Sequence, residues 1–337
     1  MLSFAGSAQR RAEGKFPSLS INRNGTIVEA HQPSAISTKM YYQVGTLNRN
    51  DVNFVEEREI VGSGKYPKVA ITDADRVIEV HEGTYSRRVY YNVGPLNHQR
   101  VQWQHRPMYL SPGRFPAVAV HGNRVVVTHD KAHFQYSTFY HVGIINEGGT
   151  AIDWGEKLQL FEVSRITKTT VAINEEFAVA AGRGWSTSHI VCRLGRFPNG
   201  DARYIDWLNE ISLDHIGIYP KICLDDGGCA ILIWQSSFFR HLMYVEGQIK
   251  QNGEQWMMEW QERRNYDYGN HPAIAITPIN GQVVEEHETN LGSTLHIHVG
   301  RYADQRQEPQ AERQQQQEQP ARPGDEGQPG GEMEHAA

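Results

Sequence analysis

Three segments of the sequence set a carboxylate and an imidazole two residues apart in a similar setting: Glu29 with His31, Glu79 with His81 and Glu285 with His287. A fourth, Val127-Thr128-His129, keeps only the imidazole, and a polar residue follows each His: Gln32, Glu82, Asp130 and Glu288. A fifth copy reads Trp234-Gln235, and a sixth lacks the motif but offers Arg183 and Trp185 nearby. Alternate side chains of a strand share a face, so each Glu and His of a pair project together. Two readings of that face stand side by side. As a ligand site, carboxylate, imidazole and amide take the hydroxyls of a sugar while Trp185, Trp234 or the pairs Tyr41-Tyr42 and Tyr90-Tyr91 stack on its C–H face. As structure, a buried Glu–His hydrogen bond satisfies two polar groups that are costly to leave unpaired.

Other chemistry is sparse. His296-Ile297-His298 puts two imidazoles on one strand face, where His287 could join them about a metal. No Cys or Asp cluster in the sequence completes that set, so no metal is expected. There is no Gly-x-Ser-x-Gly, no phosphate-cradling glycine loop and no Cys–His pair at a recognisable spacing, and no cofactor is expected. The Ser-x-Asp-x-Gly-x-x-Trp boxes typical of sialidases are also missing, so the sequence does not support that enzyme class.

The elements that position these residues repeat. Gly-x-aromatic-Pro occurs at Gly14–Pro17, Gly64–Pro67, Gly113–Pro116 and Gly217–Pro220, with a weaker copy at Gly269–Pro272. Ser164–Thr167 stands where a missing copy is expected. The entry reads as structural, Gly allowing a tight turn and Pro pre-setting the first residue of a strand. A second landmark keeps step with the first: Gly45, Gly94, Gly143, Gly195, Gly247 and Gly300. Each period of about 50 residues holds four short strands separated by turn residues, with no helix between. In the second repeat they are expected at Lys68–Thr72, Arg76–His81, Arg88–Val93 and Val101–Gln104. Six such units are the pattern of a six-bladed β-propeller, an all-β fold of four-stranded antiparallel blades.

The last repeat stops after its third strand, near His298–Arg301. Leu2-Ser3-Phe4 precedes Gly14 by the same interval at which Val52-Asn53-Phe54 precedes Gly64. Residues 2–5 are therefore expected to complete the sixth blade, closing the ring and removing an exposed edge. The propeller then spans 1–302, with repeats near 14–63, 64–112, 113–163, 164–216, 217–268 and 269–301. The stretch 303–337, rich in Gln, Glu, Pro and Gly, is expected to be a disordered tail.

A net charge of −6 leaves no basic footprint for nucleic acid. No apolar run is long enough to span a membrane. The start lacks the pattern of a secretory signal, which suggests a cytoplasmic protein or export by another route. Cys192, Cys223 and Cys229 read as buried thiols in a reducing compartment, although the last two could face each other across a hairpin.

The entry motif, Thr26–His31 and Tyr41-Tyr42-Gln43-Val44-Gly45 together resemble a roughly 50-residue propeller repeat of microbial and fungal proteins. At the level of fold the chain is similar to fucose-binding and tectonin-like lectins, whose sites lie between blades. The repeated Glu-x-His ends with aromatic neighbours favour a multivalent carbohydrate binder with glycans or glycoproteins as partners, and the resemblance adds only an analogy of fold. Two alternatives remain: a protein-interaction scaffold, and an enzyme whose divergent blades build one site at the channel mouth from groups such as Arg165, Arg183, His215 and Trp234.

Overall fold

A computed structural model describes residues 1–302 apart from 61, 104–105, 134–136, 162–164, 199–202 and 290–291. The expected tail at 303–337 lies outside the described residues. The rest forms six antiparallel sheets, one per repeat, and the six-bladed propeller is the observed fold. Blade one comprises Lys15–Ile21, Thr26–Gln32, Tyr41–Leu47 and an outer strand broken into Val52–Phe54 and Arg58–Glu59. Blades two, three and five repeat this plan, whereas the outer strand of blade four, Asp206–Ile216, is continuous.

Closure is as the termini imply. Leu2–Phe4 pairs with Thr294–Tyr302, Leu2 opposite Tyr302 and Phe4 opposite Gly300. Gln9–Glu13 extends the same edge, Gln9 opposite Ile297. Burial seals the seam: Leu2, Ile231, Ile233, Ile274, Val283 and Tyr302 share one apolar cluster spanning blades five and six.

Both glycine landmarks have a steric origin. A Cβ on Gly45 would lie 2.9 Å from the Phe54 ring, one on Gly143 2.6 Å from Trp154, and one on Gly247 2.5 Å from Trp260. These glycines clear room for the outer-strand aromatic. The entry glycines make room for the second strand instead: a Cβ on Gly14, Gly64 or Gly269 would meet the ring of His31, His81 or His287 at 2.7, 2.3 or 2.5 Å. Gly217 faces Trp234 in the same way, at 2.1 Å. Clearance, rather than the tight turn expected, is what this glycine supplies.

Blade four inverts the arrangement. Its register, Ile166 opposite Gly184 and Thr170 opposite Ala181, puts the entry copy at Ile166–Thr169, two residues later than expected. Ile166 there occupies the glycine position, and Gly182 stands where the other blades carry His or Trp, a Cβ on it lying 2.4 Å from Ile166. The bulk has moved across the strand pair.

Elsewhere the boundaries differ modestly. The first strand of blade two is Gly64–Ile71, so the entry motif belongs to the strand rather than preceding it. All three cysteines are buried thiols, and Cys223 and Cys229 form no disulfide.

Candidate functional site

The Glu-x-His pairs lie inside their own blades. Glu29, Glu79 and Glu285 are fully buried, as are His31 and His129, and His81 and His287 expose 2% or less. Each Glu holds its own His through Nδ1, at 3.0–3.1 Å in blade one, 3.0 Å in blade two and 3.1 Å in blade six. His129, which has no such Glu, binds the Asp130 carbonyl oxygen at 3.0 Å. Trp234 is 1% exposed and stacks on His215 with ring centres 5.2 Å apart, so neither face opens to solvent. Trp185 is half exposed, at the rim of a side cleft. The structure therefore brings each pair together and does not bring the pairs to one another.

Beside blades six and one, the preceding outer strand reaches the buried Glu of the pair. Tyr266 donates to Glu285 at 2.9 Å. Arg11 occupies the corresponding place for Glu29, at 2.9 Å, and also bridges to Glu286 and Gln43. Burial works against the Arg11 charge, but Glu286 and Glu29 outweigh it and keep the guanidinium protonated. Burial raises Glu286 to about 7, while Arg11 and then His31 hold Glu29 below its ordinary value despite its burial.

A different set converges on the axis. Each first strand carries a β-bulge at its entry motif, with the register shifting between Lys15 and Ser18, Lys65 and Lys68, Arg114 and Ala117, Thr167 and Thr170, Ile218 and Lys221, and Asn270 and Ala273. The residue at the third position adopts a left-handed backbone in every blade: Phe16, Tyr66, Phe115, Lys168, Tyr219 and His271, with φ between 47° and 58°. Non-glycine residues avoid this region at a cost of roughly 1–2 kcal/mol each, and they persist there only when their surroundings enforce it. Bulges re-aim side chains, and these six point at one another.

They form an unbroken collar. Ring centres of Phe16 and Tyr66 lie 4.9 Å apart, as do those of Tyr66 and Phe115. The Lys168 ammonium lies 5.7 Å from the Phe115 ring and 3.9 Å from that of Tyr219. His271 closes the circuit, 4.0 Å from Tyr219 and 4.7 Å from Phe16.

The polar residue following each His, or following Trp234 in blade five, enforces this geometry in the next blade. The backbone N–H of Tyr66 donates to Gln32 at 2.9 Å, that of Phe115 to Glu82 at 3.3 Å and that of Lys168 to Asp130 at 3.1 Å. His271 donates likewise to Gln235 at 3.4 Å and Phe16 to Glu288 at 2.7 Å. Blade four departs again: its residue is Arg183, which has no acceptor to offer Tyr219 and binds Ser188 at 2.6 Å.

With Pro17, Pro116, Lys68, Thr169 and Lys221 the collar lines a cavity of about 250 Å³. Three lysines and no carboxylate line it. Below, the first strands of the blades line a narrower part of the channel, where Leu19, Val69, Val171 and Ile274 supply apolar wall. Lys68 donates to the Pro17 carbonyl at 3.2 Å. Burial, then the neighbouring Lys221, lowers Lys68 well below the ordinary lysine value despite Glu29 and Glu288. Burial and Lys168 bring Lys221 to about 8, and burial and Arg183 bring Lys168 to about 8. Burial raises Tyr66 and Tyr219, so both hydroxyls stay available as donors. A side cleft shares Phe115 and Lys168 with this cavity and is lined by Arg87, Arg114 and Arg183 around Asp130. Asp130 is raised to about 6 by its burial.

The entry motif reads as structural in the sequence, so it does not by itself reveal this pocket. The available signal was its third position. Clearance and strand entry need Gly and Pro, but neither need explains an aromatic ring there.

No family model and no curated protein matches the chain. Solved structures do. A protein of unknown function from Dyadobacter fermentans has a TM-score of 0.55 at 11% identity, over 86% of this chain and 95% of that one. The Hadza microbial sialidase Hz136 has a TM-score of 0.58 at 8% identity, over 85% of this chain and 65% of its own. A Trypanosoma rangeli sialidase in complex with the inhibitor DANA has 0.55 at 9%, over 91% and 57% respectively. These likenesses are likenesses of fold. The expected resemblance to fucose-binding and tectonin-like lectins is accordingly reduced to the propeller architecture that sialidases share with this chain.

Proposed function

We propose that this propeller binds one small anionic ligand at the mouth of its central channel, and that the ligand is an acidic carbohydrate. The closed collar of six left-handed residues, with three lysines and no carboxylate lining the same cavity, carries this reading. Strained non-glycine residues held by buried acceptors mark a site whose shape is enforced for a purpose other than stability. Aromatic faces suit the C–H face of a sugar ring, and Tyr66, Tyr219 and Thr169 can exchange hydrogen bonds with its hydroxyls. Lys168 and Lys221, in a partly enclosed site, favour a carboxylate, phosphate or sulfate over a neutral ligand. The sialidases among the fold neighbours supply the first acid to try. Glycans or glycoproteins remain the partner class, engaged through one axial site in place of several sites between blades.

Titration calorimetry of the chain with N-acetylneuraminate, glucuronate, inorganic phosphate and neutral galactose tests the reading. The expected result is a single site that prefers an acidic sugar to both galactose and phosphate. Lys168→Ala or Lys221→Ala should weaken it at least about tenfold, the size of one charge-assisted hydrogen bond. Tyr219→Ala should do the same by removing a stacking face. Several equivalent sites abolished by His31→Ala and His81→Ala would instead support repeated sites between blades. Equal affinity for neutral and acidic sugars would overturn the proposal.

A further inference from the structure

A second cluster lies away from the axis, at the boundary of blades five and six. Asp267 stands on the outer strand Arg264–Tyr268 of blade five, while His287 and His298 stand on adjacent strands of blade six. The Asp267 Oδ2 atom lies 2.7 Å from His298 Nε2 and 3.8 Å from His287 Nε2, and one ligating atom from each of the three residues falls within 4.8 Å of the others. Around a tetrahedral zinc ion with bonds near 2 Å, such atoms sit about 3.3 Å apart. The observed separations bracket that spacing, so small side-chain rotations suffice to receive an ion.

The surroundings add a second observation. His287 Nδ1 is bound to Glu285 Oε2 at 3.1 Å, which turns its Nε2 toward Asp267. The other oxygen of Glu285 accepts from the Tyr266 hydroxyl at 2.9 Å. A carboxylate that fixes the tautomer of a histidine, itself held by a further hydrogen bond, is the arrangement that supports zinc-ligating imidazoles. His287 and His298 are almost wholly buried, whereas Asp267 retains 29% exposure, leaving a solvent-facing side for entry and for a water ligand.

Blade three provides an internal comparison. His129 and His141 occupy the positions of His287 and His298, with their Nε2 atoms 3.3 Å apart. Ser111 stands there in place of Asp267, and Val127 in place of Glu285. Burial lowers those histidines to about 4 and about 3, and they form a neutral pair. The imidazole pair thus occurs twice, and it is accompanied by both the ligating carboxylate and the orienting carboxylate at blade six.

We propose that Asp267, His287 and His298 bind one divalent transition-metal ion of zinc type, stapling blade five to the blade that closes the ring. Two imidazole nitrogens and one carboxylate oxygen suit zinc, and exclude the all-oxygen preference of magnesium or calcium. The inference is independent of the axial pocket.

The test uses the untagged full chain, stripped of metal and titrated with Zn(II) by calorimetry and with Co(II) by visible absorption. One ion per chain is expected, with a tetrahedral Co(II) spectrum and a rise in melting temperature on adding Zn(II). Asp267→Asn, and His298→Asn, which copies Asn92 of blade two, should each weaken binding at least about tenfold and remove the thermal shift. His141→Ala should leave the zinc stoichiometry and affinity unchanged. Circular dichroism confirms that the variants remain folded. Zinc binding that survives both Asp267→Asn and His298→Asn, or that follows His141 instead, would overturn the assignment, as would no saturable binding.

Discussion

The left-handed residue at the third position of each entry motif is where backbone strain, burial and charge meet. Its side chain enters the channel because the bulge turns it there, and a buried acceptor from the preceding blade holds its N–H in five of six cases. The lysines lining the same cavity give ligand binding a specific pH dependence. Lys168 and Lys221 titrate near 8, so each carries its charge below that pH and loses it above. Affinity for an acidic sugar should be nearly constant from pH 6 to 7 and then fall steeply between pH 7.5 and 9. Ordinary lysines, with a pKa of about 10.4, would hold it level across that range. Calorimetry across the series checks this, and an affinity flat to pH 9 would show that these lysines do not hold the anion.

At the scale of the strand pair, the entry glycine and the second-strand histidine behave as one unit of volume. Their positions were legible in the sequence as two landmarks, but their mutual contact was not, because nothing local says which side chain fills the space over a glycine. Blade four shows that the unit is invertible, with Ile166 over Gly182. Gly64→Ala places a Cβ 2.3 Å from the His81 ring and should cost about 1–3 kcal/mol, as overpacking does in other cores. The double variant Gly64→Ile/His81→Gly copies blade four into blade two. Denaturant unfolding should show that it loses less stability than the sum of Gly64→Ile and His81→Gly. Strict additivity would mean that the two positions do not share one packing site.

At the scale of the whole molecule, stability depends on joining residues almost three hundred positions apart. The first strand contributes Leu2 to the apolar seam, and Gln9–Glu13 carries Arg11 into its place between Glu286 and Glu29. Removing residues 1–13 would expose the edge of Thr294–Tyr302 and leave those two buried carboxylates without their shared cation. The truncated chain should melt at a lower temperature and form oligomers in size-exclusion chromatography. A synthetic peptide of residues 1–13 should reverse that association in part. An unchanged melting temperature would show that closure adds little to the fold.

The six blades and their four strands were determined by sequence alone, because strand alternation, turn residues and periodic glycines act on near neighbours, and the seam followed because the last repeat lacks the outer strand that the first residues supply. Even the blurred fourth blade could be counted, though its entry was misplaced by two residues. The collar, the lysines beside it and the meeting of Asp267 with His287 and His298 were decided only by tertiary structure. The collar joins residues about 50 positions apart, one from each blade, and Asp267 meets the two histidines across a blade boundary, so no local pattern links these groups. Where a bulge turns a side chain, and which residue of the next blade answers it, follows from packing around a closed ring.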